Sequence, residues 1–118
     1  MKKIATLLIA AVCLLGCQKR DADLHDPAIR QQLTTMLGDL YTDHAVPKAI
    51  SDINAILTVN SQKLSVQQSE KLGQARDKML GMRKILDDAK SGAKYSDEEY
   101  RTLFSDAKKL IGEAAATF

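Results

Sequence analysis

The sequence predicts an all-α protein: a small antiparallel bundle of about four amphipathic helices, occupying residues 27–118. Three observations predict it. From Ile29 onward, apolar residues recur at spacings of three and four, the period of one helix face. Start signals stand ahead of three of the four stripes. The connectors are short, which makes an antiparallel bundle the simplest way to bury four stripes together. A chain of about 100 residues buries enough surface to fold alone, though not generously.

The first helix starts at Asp26-Pro27. The Asp side chain can accept from the free amides of the first turn, and Pro fits the first helical position. Ile29, Leu33, Met36, Leu37, Leu40 and Tyr41 form its stripe, and the helix is expected to run to about His44 or Ala45. Pro47 restricts Val46 and breaks the run. A second, shorter helix carries Ala49, Ile50, Ile53, Ile56 and Leu57, and its expected end lies near Val59-Asn60. Its isoleucines favour strand by β-branching, but their spacing fits 3.6 better than 2. Residues 61–64 read as a connector. Ser65-Val66-Gln67-Gln68 has the form of a capping box and opens the longest helix. Its stripe is Leu72, Ala75, Met79, Met82, Leu86 and Ala89, with Ile85 beside it, and Ser91-Gly92 closes it. Gly73 and Gly81 inside this helix mark either close helix approach or surface tolerance. Ser96-Asp97-Glu98-Glu99 opens the last helix with three acids in its first turn, favourable to the helix dipole. Tyr95 and Tyr100 stand where a hydrophobic staple places its pair. Tyr100, Leu103, Phe104, Ala107, Leu110, Ile111 and Ala114 follow on one face.

The first 26 residues follow other rules. Met1-Lys2-Lys3 is a positive start, and residues 4–15 are apolar except for Thr6. About a dozen residues suit the core of a signal peptide and fall short of the roughly 17–25 a spanning helix needs. Leu14-Leu15-Gly16-Cys17 follows, and then at once Gln18-Lys19-Arg20-Asp21. That motif resembles the lipobox of bacterial lipoproteins: an aliphatic residue, a variable one, a small one, then Cys. Leu15 departs mildly from the Ala or Ser more usual there. The resemblance implies a signal peptide at 1–16, cleavage between Gly16 and Cys17, diacylglycerol on the Cys17 sulfur and an acylated amino terminus. By the same analogy, Gln18 in place of Asp favours the outer membrane, facing the periplasm. Two or three acyl chains, at about 0.8 kcal/mol per buried methylene, hold far more firmly than one. Residues 17–26 read as the lipidated N-terminus and a polar tether. Cys13 would leave with the signal peptide, so the mature chain would form no disulfide and depend on its core.

Charge and composition exclude several functions. Removing Lys2 and Lys3 from the 17 basic residues leaves 15, matched by 15 acidic ones. A near-neutral chain with mixed signs along every segment lacks the basic face that phosphate binding requires, so nucleic acid is not an expected partner. His25 and His44 are the two histidines, and neither sits in a His-x-x-x-His or Cys-x-x-Cys spacing. With His44 at the end of the first helix, the dipole accounts for a positive charge there. Met36, Met79 and Met82 read as core filler before they read as a soft-metal set. The acidic groups Asp87-Asp88 and Asp97-Glu98-Glu99 are adjacent on a helix and point in different directions. No phosphate loop or nucleophile elbow is readable, although a site assembled from distant residues escapes such a scan.

The expectation is therefore a non-enzymatic accessory or interaction protein of the cell envelope, anchored in a membrane by lipid and partnered by another envelope protein. No cofactor or metal is expected. Secretin pilotins, exclusion proteins and immunity proteins are similar in size and location only, without a shared motif. The alternative is a small-ligand or metal-binding module, with Met36, Met79, Met82 and His44 lining a pocket between helices.

Overall fold

The computed structural model describes residues 22–41 and 44–118 of the chain. These form an all-α bundle of four helices: α1 Pro27–Asp39, α2 Ala45–Val59, α3 Val66–Ser91 and α4 Asp97–Thr117. No strand occurs among the described residues, and no helix there is long and apolar enough to cross a membrane.

Helix α1 begins as its cap predicts. Asp26 accepts from the amides of Ala28 and Ile29, at 3.0 and 3.4 Å. It stops earlier than its stripe suggests, at Asp39, where Leu40 caps it by donating from its amide to the Met36 carbonyl. Leu40 is buried, but Tyr41 is 68% exposed. Tyr41 instead lies edge-on to Phe104, with ring centres 5.6 Å apart, and beneath the ammonium of Lys108.

Helix α2 starts at Ala45, before Pro47 and not after it. Pro47 is the third residue of the helix, where the missing N–H would have had no partner. The helical conformation disfavoured for Val46 is offset by burial, since Val46 is completely enclosed. His44 thus belongs to the start of α2 and not to the end of α1. It occupies the N-cap position without making a capping bond, so the dipole argument for a positive charge there does not apply.

In α3, Ser65 and Gln68 make the full reciprocal capping box, and Gly92 closes the helix at φ 82°. Only a residue without Cβ adopts that left-handed conformation freely. Helix α4 is capped by Ser96, whose hydroxyl accepts from the Glu99 amide at 3.1 Å.

Cross-contacts fix the topology. Lys71 meets Glu113 and Lys78 meets Asp106, at 3.1 and 3.5 Å. A seven-residue step forward on α3 is thus a seven-residue step back on α4, and the two run antiparallel. A Cβ added at Gly81 would lie 3.0 Å from Leu103, so this glycine lets the helices approach, whereas Gly73 faces open space. Arg76 bonds Asn54 at 3.2 Å, and the short turn over residues 60–65 returns the chain so that α2 packs antiparallel to α3. Lys108 reaches Tyr41, and Leu37 lies beside Gly112, which sets α1 antiparallel to α4. The result is an up-down-up-down ring in which α1 and α2 touch each other least.

The core is one cluster fed by all four helices and plugged by Leu64 and Phe118. Leu64, expected in the connector over residues 61–64, is fully buried. The far ends of α3 and α4 outrun their shorter neighbours. Residues 89–99 are all exposed, including Ala89, which its periodicity had assigned to the buried stripe. There the chain is a bare two-helix tip.

Candidate functional site

Gly16 and Cys17, the predicted cleavage and lipidation residues, lie outside the described residues. Near the start of the described residues, Asp23 and Leu24 are held by the bundle. Leu24 is partly buried against the core, and its backbone is held by the side-chain amide of Gln68. The Leu24 amide donates to Gln68 Oε1 at 2.9 Å, and Gln68 Nε2 donates to the Leu24 carbonyl at 3.0 Å. A side chain thereby pairs with the segment as a neighbouring strand would.

The remaining bonds of Gln68 converge at the same end. Its Oε1 also accepts from the Ser65 amide at 3.1 Å. Its Nε2 also donates to the Thr117 hydroxyl and carbonyl, at 3.1 and 3.3 Å. Because Leu24 and Ser65 present N–H groups, only the amide oxygen can face them, and the NH₂ must face the carbonyls. The Thr117 hydroxyl donates to the Ala114 carbonyl at 2.6 Å and is left to accept from Gln68. The Ser65 hydroxyl likewise works both ways: it accepts from the Gln68 amide and donates to the Asp23 carboxylate. Gln68 is entirely buried, yet no fully enclosed side-chain polar atom among the described residues lacks a partner. One residue therefore joins the N-terminal segment, the start of α3 and the end of α4.

Within residues 17–26, which read as the lipidated N-terminus and a polar tether, Asp23 and Leu24 are bonded to the bundle. Sequence reasoning found Ser65 and Gln68 only as a helix cap and missed Asp23, Leu24 and Thr117. A single leucine in a polar, charged stretch was the available signal.

The residues of the alternative ligand site are not gathered into a pocket. Met36, Met79 and Met82 are buried in the common core, whereas His44 is exposed at the start of α2. A cleft of about 230 Å³ does open between α1 and α2, where the two helices splay. Of the four residues only Met36 lines it, together with Ala45 and Ala49 and the polar rim of Gln32, Thr35, Asp39, Lys48 and Asp52. Lys48 and Asp52 pair with each other one turn apart along α2, at 3.2 Å. Among the described residues no three His, Cys, Asp or Glu side chains are grouped to hold a metal ion. Compared with protein-family models, curated proteins and solved structures, the chain matches none.

Proposed function

We propose that this chain is a bacterial lipoprotein: exported, cut before Cys17, and held at the outer membrane, facing the periplasm, by lipid on that cysteine. The observation that carries the reading is the sequence Leu14-Leu15-Gly16-Cys17 at the end of an apolar run, with hydrophobicity collapsing at Gln18. The bundle beyond it acts as a non-enzymatic accessory or interaction module for another envelope protein. Its near-neutral charge, with both signs mixed along every segment, supports a protein partner over nucleic acid.

Replacing the cysteine tests the anchor. Cys17→Ala is expected to abolish metabolic labelling with a fatty-acid analogue and to move the chain out of the membrane fraction. Retention of both would overturn the reading. For the partner, crosslinking in intact envelopes should capture another envelope protein that a lipid-anchor control does not. An empty capture alongside intact anchoring counts against the accessory role alone.

A further inference from the structure

We propose that the end of the bundle formed by the α2–α3 connector, the start of α3 and the end of α4 is the surface that meets the lipid bilayer, with the α3–α4 tip pointing away. The inference rests on the lipid-anchor reading of Cys17 and adds to it an orientation and a contact surface.

Reach limits which end can meet the membrane. Asp23 and Leu24 are fixed to this end through Ser65, Gln68 and Thr117. Six residue steps separate Cys17 from Asp23, and at no more than about 3.6 Å each they span at most about 22 Å. Helix α3 starts at this end and has 26 residues, a rise of about 39 Å. To set the tip on the bilayer, the segment would have to run back along nearly twice its own maximal length. Its docking point rules that out. The choice left is between standing on this end and lying on a flank.

Surface chemistry favours standing. Val59 and Val66, two of the five exposed large apolar residues among those described, flank the connector, with Val59 78% exposed. Lys63 is exposed between them. An apolar pair beside a lysine suits the boundary between acyl chains and head groups, where the lysine stem lies on apolar surface and its ammonium reaches phosphate. The tip instead surrounds Tyr95 with the exposed charges of Lys90, Lys94, Asp97, Glu98 and Glu99.

Depth-dependent quenching tests the orientation. Gln62→Cys, Ser105→Cys and Ala93→Cys place a thiol at the proposed contact end, on the outer flank of α4 and at the tip. The mature chain would otherwise contain only Cys17, its sulfur blocked by lipid. Each lipidated variant is labelled with a fluorophore and reconstituted into vesicles of phosphatidylethanolamine and phosphatidylglycerol with nitroxide on the head groups. Loss of fluorescence is expected at position 62, with positions 93 and 105 unquenched. Quenching at 62 and 105 together would mean that the bundle lies flat, and quenching at 93 that it is inverted; either overturns the proposal.

Flotation of the same samples separates the two readings. Chains that fail to float refute the anchor, whereas chains that float with equal quenching at all three positions refute only the orientation. Adding Val59→Asp and Val66→Asp should weaken quenching at 62 without affecting flotation, and unchanged quenching removes the two valines from the contact. Leu24→Pro, which lacks the amide that Gln68 holds, should spread quenching over all three positions while helical content is retained. Persistence of the end-specific pattern would show that docking does not set the orientation.

Discussion

Replacing Gln68 by alanine puts the largest load on the fewest atoms. The Ser65 amide is buried and loses an acceptor, at about 1–3 kcal/mol. Truncation removes one buried methylene, at about 0.8 kcal/mol, and the cavity left by the carboxamide adds about another 1 kcal/mol. Release of Leu24 from its partly buried position forfeits roughly another 1 kcal/mol of apolar contact. Against this, Asp23 and Leu24 regain backbone freedom at about 1 kcal/mol or more per residue. Thr117 is half-buried, and water can replace the lost amide there. The balance is a destabilisation of about 3 kcal/mol, a large share of the roughly 5–15 kcal/mol typical of a domain. In urea, with a slope of about 1.5 kcal/mol per molar, the midpoint should fall by about 2 M. The measurement is a denaturation curve on a lipid-free chain beginning at Gln18, followed by circular dichroism. Native-state hydrogen exchange adds a local readout: the Leu24 amide should lose protection even where the global fold persists. The two substitutions should also couple. In a Leu24→Pro background, Gln68→Ala should cost at least about 1 kcal/mol less, because part of what it disrupts is already gone. A midpoint shift below about 0.5 M, or full additivity with Leu24→Pro, would refute the account of Gln68 as the residue that joins the N-terminal segment to the bundle.

Other substitutions probe the fold at separate points. Gly73→Ala should stabilise by about 0.5–1 kcal/mol, because a Cβ there meets nothing within 4 Å and the helix loses a flexible residue. Gly81→Ala should gain less or nothing, since its Cβ would press on Leu103 at 3.0 Å; equal gains in melting temperature at both sites would contradict the close approach of α3 and α4. Gly92→Ala should cost about 1–2 kcal/mol in thermal unfolding, as the new side chain must enter a left-handed conformation at φ 82°. Met79→Ala should cost about 2–5 kcal/mol, because Met79 is fully enclosed by the core; a loss below 1 kcal/mol would mean that its surroundings collapse to fill the space.

Where the sequence was legible and where it was not follows from the range of the interactions involved. Caps are local, so Asp26, Ser65, Ser96 and Gly92 were readable within a few residues of the helix ends they set. Apolar periodicity was readable too, and it placed most of the core. It failed where a stripe outlasts its partner. Ala89 keeps the spacing of α3 but lies beyond the reach of α1 and α2, so nothing covers it. Tyr41 keeps the spacing of α1 after the helix itself has ended at Asp39. Pro47 misled for the opposite reason: as a breaker it marks a boundary, but the first helical turn tolerates it, and the burial of Val46 pulls the start of α2 back to Ala45.

Gln68 shows the limit most clearly, because one side chain carries both kinds of information. Its bond with Ser65 spans three residues and appears in the sequence as a capping box. Its bonds to Leu24 and Thr117 span 44 and 49 residues and leave no local trace. A helix cap on the surface would be satisfied by water on its outer side. This one is completely buried, so each of its remaining hydrogen-bonding positions had to find a protein partner, and a backbone segment that passes its amide supplies a matched N–H and C=O. Burial of the cap therefore selects for a docked N-terminal segment. That same docking leaves six residue steps between Cys17 and Asp23, and under the proposed lipid anchor it would make the direction in which the bundle stands a property of its fold.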